Sequence, residues 1–471
     1  MNKSKIIATI GPATESKEKI EELILNGVDL IRLNMNYGTE DFYLKIVKNL
    51  REVDKKLNRN TGIIVDISGP IIKIDKIIKG KAQFSKGTKI RIYMHTVLGD
   101  NTKFSINYSN LVNEIQENQI IKTSDGNVEF KVISKMEEYL LCEVIKEGII
   151  ISDQKIIIPE FKSKNKYLNK KDYDDIKFAD KIKADFLALS QVRSSEDVLE
   201  VNDTLIEIGN DHLDLLSKIE TEEACEEIDE LIRVSDGLII TRDDLGLILP
   251  MERIPGIQKA VINKCHQQGK ISIVSIELLS SMEKISNPTK AEVSDVANAV
   301  LDGADAVTLC GETTIGKNPI ETLAIVNKIV HSAEIDIDYL GFLDVASRSE
   351  NKDAPGILSR SIVECANRLK CKAIIVPTLS GATAKKISRF RPKCLIIALT
   401  PNEKIAKQLN LYFGILPIIT EEVKTFDEII KQAKETAIKN LSLEKDDYLI
   451  ITGGYPIKEK NSTNFIKIEQ I

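Results

Sequence analysis

Along the first stretch of the chain, short runs of β-branched residues alternate with longer segments in which apolar positions recur every three or four residues. KIIATI (5–10) reads as a buried strand, followed by a helix over roughly 16–26. VDLIRLN (28–34) is the next strand, an amphipathic helix runs to about residue 57, and GIIVDI (62–67) is the third strand. Strand, helix, strand at this spacing means parallel strands covered by helices. Between 72 and 160 the pattern breaks into short Ile- and Val-rich runs. Turn signals such as KGT (86–88), LGDN (98–101) and SDGN (124–127) separate them, and no helix is expected there. Alternation resumes near 170, with strands at DFLALS (185–190), LDLLSKIE (213–220), DGLIIT (236–241), ISIVS (271–275) and DAVTL (305–309). With the three before the break these make eight, the number that closes a β/α barrel. Beyond about 345, KAIIVPT (372–378), CLIIAL (394–399), GILPII (414–419), DYLIIT (447–452) and NFIKIE (464–469) read as an open α/β sheet.

The expected fold is therefore α/β: a (β/α)8 barrel with an inserted small β domain and a C-terminal open α/β domain. The boundaries fall at 1–71 and 160–345 for the barrel, 72–159 for the insert and 346–471 for the last unit.

Composition narrows the class of protein. Of 471 residues 42% are apolar and 29% charged, as in an ordinary folded domain set, and the formal charge is −6 with both signs spread along the chain. Without a basic stripe, nucleic acid is not an expected partner. No apolar run reaches the ~20 residues needed to span a bilayer, and the N-terminus lacks the apolar core of a signal peptide. No membrane partner is expected. Seven cysteines occur without a CxxC pair, which points to free thiols, a reducing compartment and a cytoplasmic location.

Candidate chemistry follows from the barrel, whose active site lies at the C-terminal ends of the strands. The second strand ends in Arg32 and Asn34, the third in Asp66, the fifth in Lys218 and Glu220, and the sixth in Arg242, Asp243 and Asp244. The eighth runs into Cys310, Gly311, Glu312 and Thr313. Any one of these could be a solvated surface residue. Their convergence at one barrel end points instead to a ligand or metal that balances them. Lys218 and Glu220, two apart on one strand, face the same way. Glu220 and Asp244, carboxylates from two strands, suit Mg2+ or Mn2+. Lys218 and Arg32 could then neutralise a phosphoryl group in flight.

The runs TIGPAT (9–14), RLNMNYG (32–38), VDISGP (65–70), SKIE (217–220), DGLIITRDDLG (236–246) and, above all, TKAEVSDVANAVLDGADAVTLCGETTIGKNP (289–319) resemble pyruvate kinase in order and spacing. SRSIVECANRL (359–369), KAIIVPTLSGATA (372–384), TGGYP (452–456) and TNFIKI (463–468) extend the resemblance through the last unit. It is weakest in the insert. The resemblance implies phosphoryl transfer from phosphoenolpyruvate to ADP, giving pyruvate and ATP in glycolysis. It implies that Lys218 stabilises the migrating group, that Arg32 contacts phosphate, and that Glu220 and Asp244 hold the divalent ion. Substrate binding would involve Arg32, Lys218, Asp244 and Gly246. Asn34, Asn36 and Asp66 would hold K+, with Asn36 where the family has Ser. The insert would act as a lid, with Asp125–Gly126 matching a family turn. Thr378, Ser380, Gly381 and Thr383 would form an effector phosphate pocket, and a homotetramer is implied. His95, His212, His266 and His331 fall outside these motifs and read as structural or surface residues.

The chain departs from the pattern at several positions. The family's D-T-K-G-P-E-I-R is here Asp66, Ile67, Ser68, Gly69, Pro70, Ile71, Ile72, Lys73. Asp243 stands where the family has Gly, Ile276 where it has the Thr linked to enolate protonation, and Cys310 where it has Ser. The expectation is a kinase of weakened or altered activity. The competing readings are a catalytically impaired binding or regulatory protein of the same fold, and a lyase acting on a 2-oxo acid through a metal-bound enolate.

Overall fold

The computed structural model describes residues 2–159, 161–163, 165–210, 212–275, 278–347, 353–423, 425–454 and 463–471. Ile276 and Glu277 lie outside them, as do Tyr455 and Pro456.

Eight parallel strands close the barrel: Lys5–Thr9, Leu30–Asn34, Gly62–Ile67, Phe186–Leu189, Asp214–Ile219, Gly237–Thr241, Ile271–Ser275 and Ala306–Leu309. Each pairs with its sequence neighbours, and Lys5 opposite Ala306 closes the ring. Helices between the strands cover the outside. Their ends are written in the local sequence: Ser16 caps the helix Lys17–Leu25, Asn169 and Asp172 form a capping box at Lys170–Lys181, and Thr289 and Glu292 do the same at Lys290–Leu301.

Strand parity divides the side chains. Ile6, Ala8, Ile31, Leu33, Ile63, Val65 and Ile67 pack outward against the helices. Ile7, Leu30, Ile64, Ala188, Leu216, Ile239, Ile273 and Ala306 fill the inside. Continuing that inner row toward the C-terminal ends in steps of two gives Thr9, Arg32, Asp66, Ser190, Lys218 then Glu220, Thr241, Ser275, and Thr308 then Cys310. The inside therefore changes from apolar to polar toward the C-terminal ends, while Lys5 and Asp214 stand on the same inner row at the other end.

The C-terminal unit packs at the opposite end. Its five-stranded sheet runs in the order Ile415–Ile419, Leu395–Thr400, Ala373–Pro377, Tyr448–Gly454, Thr463–Gln470, the last pairing antiparallel. The apolar floor of the barrel is continuous with this unit's core through Ile374, Ile396, Leu411 and Ile415. Lys5 Nζ donates to the Ile415 carbonyl at 2.6 Å, and Arg391 Nη1 meets Asp305 Oδ1 at 2.6 Å.

Between the third and fourth barrel strands the chain forms a six-stranded sheet and a two-stranded one around a separate apolar core that includes Phe84, Phe104 and Phe130. It also contains a short α-helix, Leu111–Glu114, and a 3-10 turn, Ile78–Gly80, where the sequence pattern predicted no helix. A single turn is too short to show helical periodicity. The outgoing and returning segments of the insert pair antiparallel at Lys73 and Lys155, beside the barrel's polar end.

Candidate active site

Asp66 is the centre of the charged cluster and is 1% exposed. Arg32 Nε donates to its Oδ2 at 2.7 Å and Arg32 Nη2 lies 2.6 Å from the same atom, a two-pronged contact that fixes the guanidinium plane. Arg32 Nη1 donates to Thr9 Oγ1 at 3.1 Å and to Cys310 Sγ at 3.3 Å. The other oxygen of Asp66 accepts from the Ser190 hydroxyl at 2.9 Å, and Ser190 Oγ in turn accepts from Lys218 Nζ at 2.9 Å. Lys218 Nζ also lies 2.6 Å from Glu220 Oε1 and 3.5 Å from Asp66 Oδ2. Glu220 Oε2 accepts from the backbone N–H of Gln191 at 2.9 Å and from its side-chain amide.

Gly69 makes the approach of these strand ends possible. It sits at φ 63, and a Cβ there would come within 2.3 Å of the Ser190 carbonyl oxygen. A side chain would push the loop after the third strand off the end of the fourth.

Asp244 is placed differently from what the strand pattern implied. The sixth strand stops at Thr241, and Asp244 lies in the first turn of a helix, Arg242–Ile248. Its Oδ1 accepts from Lys155 Nζ at 2.5 Å, a contact that crosses from the insert to the barrel. Asp243, next to it, adds to the negative charge felt by Asp244. Arg242 turns away to Asp295 at 2.5 Å. Gly246 lies on the same helix, where a Cβ would meet Ile254 Cδ1 at 3.4 Å.

The electrostatics follow from burial and these contacts. Burial works against the charge of Lys218, but Asp66 and Glu220 outweigh it and hold the ammonium protonated well beyond its usual range. The same competition, with Asp66 prevailing over burial, raises Arg32. Glu220 is held below the usual carboxylate range because Lys218 and Lys155 outweigh its burial. Asp244 moves the other way, raised by burial and by repulsion from Glu220. Two carboxylates that repel each other at partial burial are a place where a cation is stabilised.

The remaining predicted residues fall into three groups. Asn34 Oδ1 accepts from the backbone and side-chain amides of Asn36, each at 3.2 Å. Asn36 Oδ1 accepts from the Ser68 hydroxyl at 2.7 Å and from the Lys73 ammonium at 2.9 Å. Ile67 faces outward into the helical core, so its place in the departures from the pattern lies away from the charged cluster. Glu312 is 2% exposed, and its two oxygens accept the backbone N–H groups of Leu279 at 3.0 Å and Cys310 at 2.8 Å. It ties together the loops after the seventh and eighth strands.

Thr378, Ser380 and Thr383 line a cavity of about 320 Å³ in the C-terminal unit, with Gly381 (φ 78) capping the helix Ala382–Ser388. Thr378 Oγ1 accepts from the Gly381 N–H at 2.9 Å, and Thr383 shares a hydrogen bond with Thr463 at 2.7 Å. Glu421, Glu422 and Lys386 line it too.

Sequence reasoning missed Ser190, Gln191 and Lys155. Ser190, two beyond Ala188, was open to the same parity argument as Lys218, whereas Gln191 sits past the strand at φ 57 and was not. Lys155 carried no signal, because it belongs to the insert and its partner lies 89 positions away. Among the described residues no three His, Cys, Asp or Glu side chains converge into a metal cage, and no helix is long and apolar enough to cross a membrane.

Two family models match the chain: "Pyruvate kinase, barrel domain" over residues 1–323 and "Pyruvate kinase, alpha/beta domain" over 357–469. A pyruvate kinase of Staphylococcus saprophyticus is 37% identical over 473 residues, covering 100% of this chain and 81% of the relative. One of Clostridium perfringens is 36% identical over 474 residues and covers 100% of both. The crystal structure of a pyruvate kinase from Cryptosporidium parvum is similar with a TM-score of 0.92 at 30% identity, over 100% of this chain and 96% of that one.

Proposed function

The chain belongs to the pyruvate kinase family and transfers the phosphoryl group of phosphoenolpyruvate to ADP, giving pyruvate and ATP, and we propose that Lys218 and Arg32 carry that step. What supports this most is the grouping of Lys218 with Glu220 at 2.6 Å and with the Asp66 that fixes Arg32.

Phosphoryl transfer asks little covalent chemistry of a protein and much fixed positive charge. Lys218 supplies a charge that its neighbours keep on at any working pH. Arg32 supplies a planar fork whose orientation Asp66 and Thr9 hold in advance, so little reorganisation is needed when a phosphate arrives. Ser190 links the two by bonding both Lys218 and Asp66.

Pyruvate kinases generally use Mg2+ and K+. For Mg2+ or Mn2+ the donor chemistry fits Glu220 and Asp244. Both are hard carboxylates whose present partners are ammonium groups, Lys218 at 2.6 Å from Glu220 Oε1 and Lys155 at 2.5 Å from Asp244 Oδ1, and the two repel each other. Such an ion, when bound, polarises phosphoryl and enolate oxygens. For K+, the oxygens of Asn34, Asn36 and Asp66 would be the donors, and Lys73, Ser68, Arg32 and Ser190, which hydrogen-bond to Asn36 and Asp66, would share or release them.

The wider assignment is a barrel of 1–71 and 160–345, a lid of 72–159 and a regulatory unit of 346–471. The separate apolar core of the insert supports the lid assignment, as does its Gly126, where a Cβ would meet Leu247 of the Arg242–Ile248 helix at 3.4 Å. A phosphate effector at Thr378, Ser380, Gly381 and Thr383 is supported by the cavity that Thr378, Ser380 and Thr383 line. A homotetramer and a cytoplasmic location rest on family membership.

A coupled assay with phosphoenolpyruvate, ADP and Mg2+ tests the reading. Pyruvate should form only when ADP is present, and Lys218→Met should slow it by roughly 10²–10³-fold. No pyruvate above background from the folded protein would favour the impaired binding protein. Pyruvate formed without ADP would favour a lyase.

A further inference from the structure

Lys155 stands in the segment that returns from the insert to the barrel, paired with Lys73 on the outgoing segment. Its side chain is 19% exposed, and its ammonium rests on Asp244 at 2.5 Å. Both Asp244 and Glu220 favour its charge, while Lys218 opposes it. Together with Gln191 and Glu220, Lys155 lines a cleft of about 110 Å³ between the insert and the barrel end.

We propose that Lys155 is a tethered competitor of the divalent cation, holding the Glu220–Asp244 pair until an ion displaces its ammonium. The proposal rests on reading those two carboxylates as the metal pair. Arg32, Lys155 and Lys218 face Asp66, Glu220 and Asp244, with Asp243 beside them, three positive charges against four negative. A divalent ion added to that set gives five positive charges against four negative ones at a mostly buried site, and withdrawal of one cation restores the balance. Lys218 is pinned by Asp66, Ser190 and Glu220, and Arg32 by Asp66, Thr9 and Cys310. Lys155 has one hydrogen-bond partner for its ammonium among the described residues, and a flexible four-carbon stem that can swing into the cleft. It is the cation that yields. Metal binding then exchanges one contact between insert and barrel for an ion held by the barrel alone.

The test is Mn2+ binding to the full chain without substrate, followed by the electron paramagnetic resonance signal of free Mn2+. Lys155→Met should bind Mn2+ about tenfold more tightly than the parent, the scale of removing one competing ion pair. Lys155→Arg should stay near the parent. Circular dichroism confirms that each variant is folded. Equal or weaker binding by Lys155→Met, with Asp244→Asn still abolishing it, would overturn the proposal and leave the metal pair intact. Binding that survives both Asp244→Asn and Glu220→Gln would overturn the metal pair itself, and this inference with it.

Discussion

Charge is buried at both ends of the barrel, and the two ends hold it by different means. At the N-terminal end Asp305 accepts from Arg391 at 2.6 Å, from the backbone N–H of Phe413 at 3.2 Å and of Ser272 at 2.9 Å, and from the Ser272 hydroxyl. Arg391 also donates to the Gly303 carbonyl at 2.8 Å and stacks on Phe413. Main chain and side chain are knitted together, so the charges lock the C-terminal unit to the barrel. At the C-terminal end Asp66, Lys218 and Asp244 are satisfied mostly by other side chains. Side chains can exchange partners without unfolding a strand, which main-chain groups cannot do. Buried charge bound to backbone is structure. Buried charge bound to side chains is available for chemistry.

The contrast can be broken most sharply from the structural end. Arg391→Met leaves Asp305 buried beside an apolar stem and should cost about 3–5 kcal/mol in urea unfolding, with kcat of the folded fraction unchanged. A loss of kcat at full stability would remove the distinction. Lys218→Met should do the opposite, lowering kcat by roughly 10²–10³-fold while the protein stays folded. Coupled kinetics beside a melting curve would check it.

A pH experiment sharpens the structural end further. His266 donates from Nε2 to the Arg389 carbonyl at 2.5 Å, and burial, followed by the nearby Arg391, lowers its pKa from 6.5 to about 3. The unfolded chain binds more protons on this residue between those values, so stability falls as pH drops through that window. From about pH 7 to about pH 5 the loss is roughly 2 kcal/mol, and His266→Gln should flatten it. The smallest effect belongs to the active end. Cys310→Ser replaces a weak sulfur acceptor for Arg32 with oxygen and should raise kcat/KM by less than about tenfold. A fall instead would show that the thiol itself is needed.

Much of this division was legible beforehand. The eight strand runs, the strands of the insert and the open C-terminal sheet follow from periodicity, and the two-residue step from Leu216 through Lys218 to Glu220 follows from the pleat. Glu312 shows where reading ends. It follows the eighth strand like a site residue, yet its oxygens turn to the amides of Leu279 and Cys310. Ile67 shows the converse, a position compared with the family's polar residue whose side chain faces the helices.

By itself the amino-acid order determined the elements and which side of each strand is apolar, because both depend on neighbours two to four positions apart. Only the tertiary structure decided that Lys155 meets Asp244, that Ser190 joins Lys218 to Asp66, and that Lys73 takes the oxygen of Asn36. Those contacts span tens of residues. They depend on how the closed ring and the insert bring distant loops together, and no local periodicity encodes that distance.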